Sequence, residues 1–309
     1  MTNIEKYRKA CLQHIHWPIF AQAFWMDLVC TAWDVFYYKT ENTEFYLPYS
    51  TEKKGVFTFI RNPLATPYTS FYYSQLKLSN EEFQQAAQAF QRHFSAFSFV
   101  QLDQHFLLSS IASTATIPTT TYHTNIIDTT ISVEQLKANC KSSLLRHLKF
   151  ADKHVSIEPC SNATIIHQLL QSTAKHRKIK NVYSLSFINQ LIQTCSEYNC
   201  GTTWIAKDAE GNVHACLLQV WDNQASYSIL AASLYPESLR GAMAALLWHA
   251  ILTTKEKNIP YFDFEGSRVK GIDTFFKTFG TLQKDVYQIN MQNSKLAKWL
   301  LEIKKQMTT

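Results

Sequence analysis

Two acidic residues in the last fifth of the chain could carry acid–base chemistry. Asp263 and Glu265 lie in the run Tyr-Phe-Asp-Phe-Glu, in which aromatic and acidic residues alternate. Alternation of this kind predicts a strand, with both carboxylates leaving one face and the phenylalanines leaving the other. Carboxylates at a strand end can orient an incoming amine or take up its proton. The alternative is structural: both pair with Arg268 or Lys270 in the next loop and fix its conformation.

A lysine in the short helix predicted between Gly271 and Gly280 is the next candidate. The apolar residues of this segment recur at helical spacing and form one stripe: Ile272, Phe275, Phe276 and Phe279. Lys277 falls on the opposite side of the helix, so the core does not require it. Its charge is therefore a candidate for the reaction centre, against the alternative of a lysine on a solvated helix face.

A basic face on one predicted helix could contact phosphates. Arg146, Lys149 and Lys153 follow helical spacing in a helix predicted over 141–153. Such a face either binds a phosphate or an RNA backbone, or is simply solvated. Binding of this kind does not depend on base sequence and weakens as salt rises.

A second group of donors surrounds the start of a long predicted helix. Ser238 is predicted to cap this helix, whose free backbone N–H groups favour an anion. Arg240 and Gly241 follow directly and could hold the phosphates of a donor. Tyr227, on the preceding predicted strand, could donate a hydrogen bond to an acyl carbonyl, although packing is the alternative for any one of fifteen tyrosines.

One long motif resembles a known family. The run D-F-E-G-S at 263–267, followed by G-x-x-x-F-F-K-x-F-G at 271–280, resembles the C-terminal signature of FemABX-type transferases and their relatives in the GNAT superfamily. The resemblance implies that Lys277 serves the donor phosphate and the charge of the reaction centre. Arg268 stands where relatives often carry an apolar residue, and this departure puts the choice of acceptor in doubt.

The order of predicted elements agrees with this resemblance. Strands alternate with helices in both halves, which by itself predicts an α/β protein. The resemblance implies more: a mixed sheet in two tandem GNAT-like domains, the first of them eroded, with the sheet splayed open between the strands before and after the long helix. A Ser/Thr-rich stretch, 109–121, marks the boundary. The predicted domains are therefore 1–115 and 116–309.

Composition limits the classes of protein that fit. The chain has 309 residues, of which 46% are hydrophobic and 17% charged, so it is globular and not disordered. Its net charge of +6 favours an anionic partner. Seven cysteines without a C-x-x-C pair favour neither a disulfide framework nor a metal site. Without a signal peptide or a long apolar run, the sequence predicts a cytoplasmic protein that does not span a membrane.

These observations predict an N-acyltransferase that moves an acyl or aminoacyl group onto an amine. The acceptor is a small amine-bearing molecule or a cell-wall precursor, and no cofactor is permanently bound. The donor is acyl-CoA or aminoacyl-tRNA; because Gly241 directly follows Arg240, the segment departs from the [Q/R]-x-x-G-x-[G/A] spacing of CoA-binding relatives, which favours tRNA. Two alternatives stay open: an acyl-CoA-dependent N-acetyltransferase that uses only the C-terminal domain, and a non-catalytic binding module that retains the fold.

Overall fold

The computed structural model describes residues 1–14, 16–75, 78–108, 117–265 and 269–294. The predicted domain boundary between 115 and 116, the candidate Arg268 and a helix predicted over 296–305 lie outside these residues. The chain packs into two compact units: Met1–His123 together with the segment from Asp285 onwards, and Thr124–Lys284.

The described residues of the first unit form three α-helices and a mixed sheet. Its helices are α1 (Asn3–Gln13), α2 (Ala23–Val29) and α3 (Asn80–Phe94), and its strands are β1 (Trp33–Lys39), β2 (Glu44–Lys54), β3 (Phe57–Arg61), β4 (Tyr72–Tyr73) and β5 (Phe99–Asp103). Strand β12 (Leu282–Gln292) completes this sheet through its residues from Gln288 to Gln292, which pair with β5. The strand order is β1-β2-β3-β5-β12, and β4 pairs with β2.

Helix α3 forms where the sequence predicts a helix, over 81–94 with Asn80 as its cap, because apolar residues recur there at helical spacing. The side chain of Ser79 caps the helix by accepting a hydrogen bond from the Glu82 N–H group, so the cap lies one residue before the predicted Asn80. The apolar face of α3 packs into a core that also holds Ile289 and Met291 of β12. The burial of these two side chains shows that the core of the first unit depends on a strand from the end of the chain.

The second unit contains six helices among its described residues. They are α4 (Val133–Asn139), α5 (Ser142–His154), α6 (Ala163–Arg177), α7 (Leu185–Glu197), α8 (Ala242–Glu256) and α9 (Lys270–Phe276), the last continued by a 3-10 turn (Lys277–Phe279). Its strands are β6 (Thr119–Asp128), of which the residues from Thr124 on belong to this unit, β7 (Ser156–Pro159), β8 (Gly201–Lys207), β9 (Val213–Trp221), β10 (Ala225–Ser233) and β11 (Tyr261–Asp263). They pair in the order β6-β11-β10-β9-β8-β7.

Each unit has the same succession of strand pairings. In the first, β1, β2 and β3 are antiparallel, α3 follows, and β5 then lies parallel to β3. In the second, β8, β9 and β10 are antiparallel, α8 follows, and β11 lies parallel to β10. An antiparallel strand completes each set, β12 beside β5 and β6 beside β11. The predicted mixed α/β class is confirmed, whereas the tandem pair of GNAT-like domains and its boundary stay predictions.

Two expectations from composition concern membranes and metals. No helix among the described residues combines the length and the apolar character needed to cross a bilayer. In the same residues, histidine, cysteine and acidic side chains form no cluster of three or more that could hold a metal ion.

Candidate functional site

The candidate site is a cavity of about 560 Å³ in the second unit. Strands β10 and β11 are parallel neighbours only from Ala225 to Tyr227, opposite Tyr261 to Asp263. Strand β10 then continues to Ser233, with an irregularity between Ser228 and Leu230 in its pairing to β9, whereas β11 ends. The two strands therefore diverge, and the cavity lies between them, where the resemblance implies that the sheet opens.

The edge of β10 that β11 leaves open is partly covered by α6. The hydroxyl of Thr173 donates to the Ser233 carbonyl and accepts from the Ser233 N–H group, each at 2.9 Å. The hydroxyl of Ser172 accepts from the Tyr235 N–H group at 2.9 Å. These bonds satisfy backbone groups that a neighbouring strand would otherwise satisfy.

Apolar side chains from two helices and from the residue after β11 line the cavity. They are Met243 and Leu247 of α8, Ile272, Phe275 and Phe276 of α9, and Phe264. Three of the four residues in the stripe that the sequence assigns to the core therefore also line the cavity, whereas Phe279 is not among its described lining residues.

The first turn of α8 supplies unpaired backbone donors. The helix begins at Ala242, not at Ser238: Gly241 is the cap residue, with φ of 82°, and no side chain caps the helix. The N–H groups of Met243 and Ala244, which line the cavity, make no hydrogen bond to any described residue. Such groups, together with the helix dipole, make a helix N-terminus favourable for an anion.

Cationic side chains lie beside these donors. The predicted donor-binding residues Ser238, Arg240 and Gly241 all line the cavity, together with Arg177 at the end of α6 and His147 on α5. The Arg240 guanidinium is exposed and lies 5.8 Å from the centre of the Phe150 ring. Sequence reasoning missed Arg177 and His147; the basic run from Lys175 to Lys180 was the signal for the former.

A histidine holds the loop that precedes α8. Nε2 of His214 lies 2.9 Å from Asp208 Oδ2, and its Nδ1 lies 3.0 Å from the Glu237 carbonyl and 3.2 Å from the Leu239 N–H group. The hydrogen bond from His214 lowers the pKa of the Asp208 carboxyl to about 2.

Glu265 is the carboxylate that lines the cavity. Its backbone has φ of 62°, a left-handed conformation that is rare for glutamate. Its Oε1 atom is buried and has no hydrogen-bond partner among the described residues. Burial, reinforced by the nearby charge of Asp263, raises its pKa well above the ordinary value. The charge of Glu265 in turn adds to the burial that raises the pKa of Tyr183 to about 12.

Asp263 is not among the described residues that line the cavity, whereas Glu265 is. Its side chain is fully buried, and its Oδ1 accepts hydrogen bonds from the Thr124 hydroxyl and, at 2.9 Å, from the Glu265 N–H group. The strand ends at Asp263, and the left-handed residue at 265 breaks the alternation on which the prediction depended. Asp263 therefore fixes the backbone that carries Glu265.

Lys277 is held by an acidic partner on its own helix. Its Nζ lies 2.7 Å from Asp273 Oδ2, and its side chain is 40% exposed. Asp273 Oδ1 accepts from the Asn125 amide at 2.9 Å, and Asn125 Oδ1 accepts from the Thr281 hydroxyl at 3.1 Å. Lys277 is not among the described residues that line the cavity, so its role in the site stays a prediction.

The remaining candidates lie elsewhere. Arg146, Lys149 and Lys153 are exposed on α5, and Lys149 lines a second cavity of about 460 Å³ between α5 and α8. Tyr227 is fully buried and donates to Asp222 Oδ2 at 3.2 Å. None of these four is among the described residues that line the first cavity.

Comparison with known proteins finds similar structures but no similar sequence. No protein-family model and no curated protein matches the sequence. The structure is similar to that of FemX, with a TM-score of 0.62 and 11% identity over 83% of this chain and 88% of FemX. It is also similar to the C-terminal domain of a putative lysylphosphatidylglycerol synthetase from Agrobacterium fabrum, with a TM-score of 0.61 and 12% identity over 97% of this chain and 96% of that domain.

A third structure has the same fold. The L-PGS from Bacillus licheniformis matches with a TM-score of 0.56 and 12% identity, over 88% of each chain. The chain therefore shares the fold of FemX and of the other two structures, as the motif in the sequence predicts. At 11–12% identity, this likeness establishes the fold alone and leaves the activity to the chemistry of the site.

Proposed function

We propose that this protein is an acyltransferase that moves an acyl or aminoacyl group from a phosphate-bearing donor to an amine. One observation carries the proposal. A single cavity between diverging parallel strands combines unpaired N–H groups of Met243 and Ala244, cationic Arg177 and Arg240, an apolar wall and the carboxyl of Glu265. The N–H groups and arginines complement an anion, the apolar wall complements an acyl chain, and the carboxyl group complements an amine.

The start of α8 is the proposed site for donor phosphates. The unpaired N–H groups and the helix dipole attract an anion, and Arg240 and Arg177 add positive charge. Ser238 lines the cavity beside them and can donate a further hydrogen bond. Because the spacing of Arg240 and Gly241 departs from the usual CoA-binding pattern, aminoacyl-tRNA is the donor we favour, with acyl-CoA as the alternative.

Glu265 is the proposed proton acceptor. The amine nitrogen attacks the donor carbonyl carbon, a C–N bond forms, the bond from that carbon to the donor oxygen or sulfur breaks, and the nitrogen loses one proton. A carboxylate with a raised pKa is a stronger base than an ordinary one. Oε1 of Glu265 has no hydrogen-bond partner among the described residues, so it can accept a hydrogen bond from an N–H group of a neutral amine. Amine-bearing small molecules and cell-wall precursors are the proposed acceptors.

The direct test is transfer by the full-length protein to a panel of amine acceptors. The donors to compare are acyl-CoAs of several lengths and charged tRNA. Glu265→Gln keeps the shape of the side chain and removes the base, so turnover is expected to fall by roughly 10²–10⁴-fold while donor affinity persists. Full turnover in a folded Glu265→Gln variant would remove Glu265 from the reaction.

Lys277→Ala is the second arm of the same experiment. Its half-exposed pair with Asp273 contributes less than about 1 kcal/mol to stability, so the variant is expected to fold normally. If the role implied by the resemblance holds, its turnover falls as well; unchanged turnover would assign Lys277 to the helix surface.

Acyl-CoA transfer by the second unit alone is the alternative, and the position of the cavity supports the part that concerns the second unit. All described residues of the cavity lie within Thr124–Lys284. Micromolar calorimetric binding of acyl-CoA, with product formed and no response to charged tRNA, would select this alternative. Saturable ligand binding without any product would instead indicate a binding module and contradict the transferase proposal.

A further inference from the structure

The end of α6 and the turn after it form an exposed basic segment. Lys175, Arg177, Lys178 and Lys180 are all exposed, and none makes an ion pair with a described residue. The sequence has no aspartate or glutamate from 159 to 196, so no acidic neighbour along the chain balances these charges. We call residues 175–185 the basic–apolar turn.

Large apolar side chains are exposed in the same turn. Ile179 is 60% exposed, Val182 57% and Leu185 42%. Single exposed aliphatic residues are ordinary on a protein surface, but three within seven positions, interleaved with lysines, form a patch of mixed character.

The backbone holds these side chains in place. Lys178 adopts a left-handed conformation with φ of 54°, and the Ile179 N–H group donates to the Ala174 carbonyl at 3.0 Å, which ends α6. In helix ends of this type, the apolar residue at the position of Ile179 usually packs back onto the helix. Here it is exposed instead, so burial within its own unit does not account for it.

The rest of the turn is also hydrogen-bonded. Asn181 Oδ1 accepts from the Tyr183 N–H group at 3.0 Å, and the Ser184 hydroxyl caps α7 by accepting from the Phe187 N–H group at 3.2 Å. Val182 lies between Asn181 and Tyr183, and Leu185 directly follows Ser184. Both side chains are therefore exposed on a turn whose backbone is held by hydrogen bonds.

We propose that the basic–apolar turn docks this protein on an anionic lipid surface. Lysine ammonium groups contact lipid phosphates, while Ile179 and Val182 enter the apolar layer beneath the headgroups. Single-stranded nucleic acid is bound largely through aromatic side chains that stack on its bases, and duplex RNA through its phosphates. Neither mode uses exposed aliphatic side chains such as these. The combination of charge and aliphatic surface therefore favours a bilayer.

The turn adjoins the cavity. Arg177 lines the cavity, and the His176 ring stacks on the ring of Tyr235, another lining residue, at 3.9 Å between centres. Docking through this turn brings the cavity to the bilayer surface, where membrane-borne molecules are concentrated. The inference concerns binding and does not depend on the proposed transfer reaction.

The test is co-sedimentation of the full-length protein with vesicles. Phosphatidylcholine vesicles that contain phosphatidylglycerol are expected to bind it, with affinity falling as salt rises, and pure phosphatidylcholine vesicles are not. Each lysine near an anionic bilayer contributes roughly fivefold, so Lys178→Gln with Lys180→Gln is expected to weaken binding about 25-fold. Ile179→Ser with Val182→Ser is expected to weaken it by at least about tenfold.

A matched control separates local docking from net charge. Lys149→Gln with Lys153→Gln also removes two exposed positive charges, from α5, and is expected to change vesicle affinity by less than about threefold. All six positions are exposed, so each variant should keep the native melting temperature. Three results would overturn the proposal: no binding to anionic vesicles, equal losses in the control, or binding of tRNA through this turn that is indifferent to Ile179 and Val182.

Discussion

Glu265 combines three unfavourable features in one residue. It has a left-handed backbone, a buried carboxylate oxygen without a described partner, and a raised pKa beside a second acidic residue. Left-handed non-glycine residues cost about 1–3 kcal/mol and persist where the surroundings enforce them, often at functional sites. Here Asp263 enforces the conformation by binding the Glu265 N–H group. These features lower the stability of the folded protein, and all of them fall on one residue that lines the cavity. Such a residue is more easily explained by a chemical role than by a role in stability.

The raised pKa of Glu265 has a consequence for stability. The folded protein binds this proton more tightly than the unfolded chain, so the contribution is fully present below the ordinary value of 4.5 and is lost as pH rises through the raised pKa. At high pH, each unit by which the pKa is raised costs the native protein about 1.4 kcal/mol. Glu265→Gln removes this cost and is expected to raise the melting temperature at pH 8.

Thermal melts at a series of pH values check this expectation. The difference between Glu265→Gln and native protein should shrink as pH falls and vanish below the ordinary glutamate pKa. Glu210→Gln, on an exposed turn, is the control and should show no such trend. A Glu265→Gln variant that is less stable at pH 8 than at pH 4, relative to native protein, would contradict the raised pKa.

At the scale of elements, the site results from the divergence of β10 and β11 and from the close packing of α5 against the start of α8. A Cβ atom on Gly241 would lie 2.7 Å from the His147 carbonyl oxygen, in addition to the strain of its positive φ. Glycine at this position allows α5 to bring His147 to the cavity. It also leaves the N–H groups of the first turn open to a ligand.

Gly241→Ala is therefore expected to lower both stability and donor affinity. The positive φ alone costs about 1 kcal/mol, and the contact with backbone requires α5 or α8 to shift, so we expect a loss of about 2–4 kcal/mol. Gly211→Ala is the matched control, because its φ of 87° is similar and an added Cβ there meets nothing within 4 Å. Chemical denaturation of the two variants checks the difference. Equal losses would show that the contact with His147 has no energetic consequence.

At the scale of the whole molecule, strand order along the chain and strand pairing do not coincide. Strand β6 follows β5 in sequence, yet its residues from Ile126 to Asp128 pair with β11. Strand β12 follows β11, yet it pairs with β5. The first unit is therefore built from two separate stretches of the chain, whereas the second is continuous from Thr124 to Lys284.

This difference predicts unequal behaviour of fragments. A fragment of residues 1–123 lacks β12 and leaves the core around Ile289 and Met291 incomplete, so it is expected not to unfold cooperatively. A fragment of residues 117–284 keeps the core of the second unit and is expected to show a cooperative melt. Circular dichroism during heating checks both. A cooperative transition of the 1–123 fragment would show that β12 is dispensable.

Several local elements, and one candidate that lines the cavity, can be predicted from the sequence. Runs rich in β-branched or aromatic residues predict strands at 33–39, 202–207, 213–220 and 225–232, and helical spacing predicts a helix at 81–94. These ranges agree to within one residue with β1, β8, β9, β10 and α3. The motif at 263–280 gave the fold type, and its acidic run gave Glu265 as a candidate. The cluster of Ser238, Arg240 and Gly241 was also accessible, since neighbours in sequence at a helix start are neighbours in space.

The way in which these elements and residues come together could not be predicted from the sequence. The side on which Glu265 emerges depends on its left-handed φ, which alternation does not predict, and Asp263 is fully buried. Arg177 and His147 reach the cavity from helices that are distant in sequence. The placement of β12 beside β5 depends on hydrogen bonds between residues about 190 positions apart. A local pattern predicts which side chains are buried. It does not predict which residues pack against them, because those contacts form between segments that are distant in sequence.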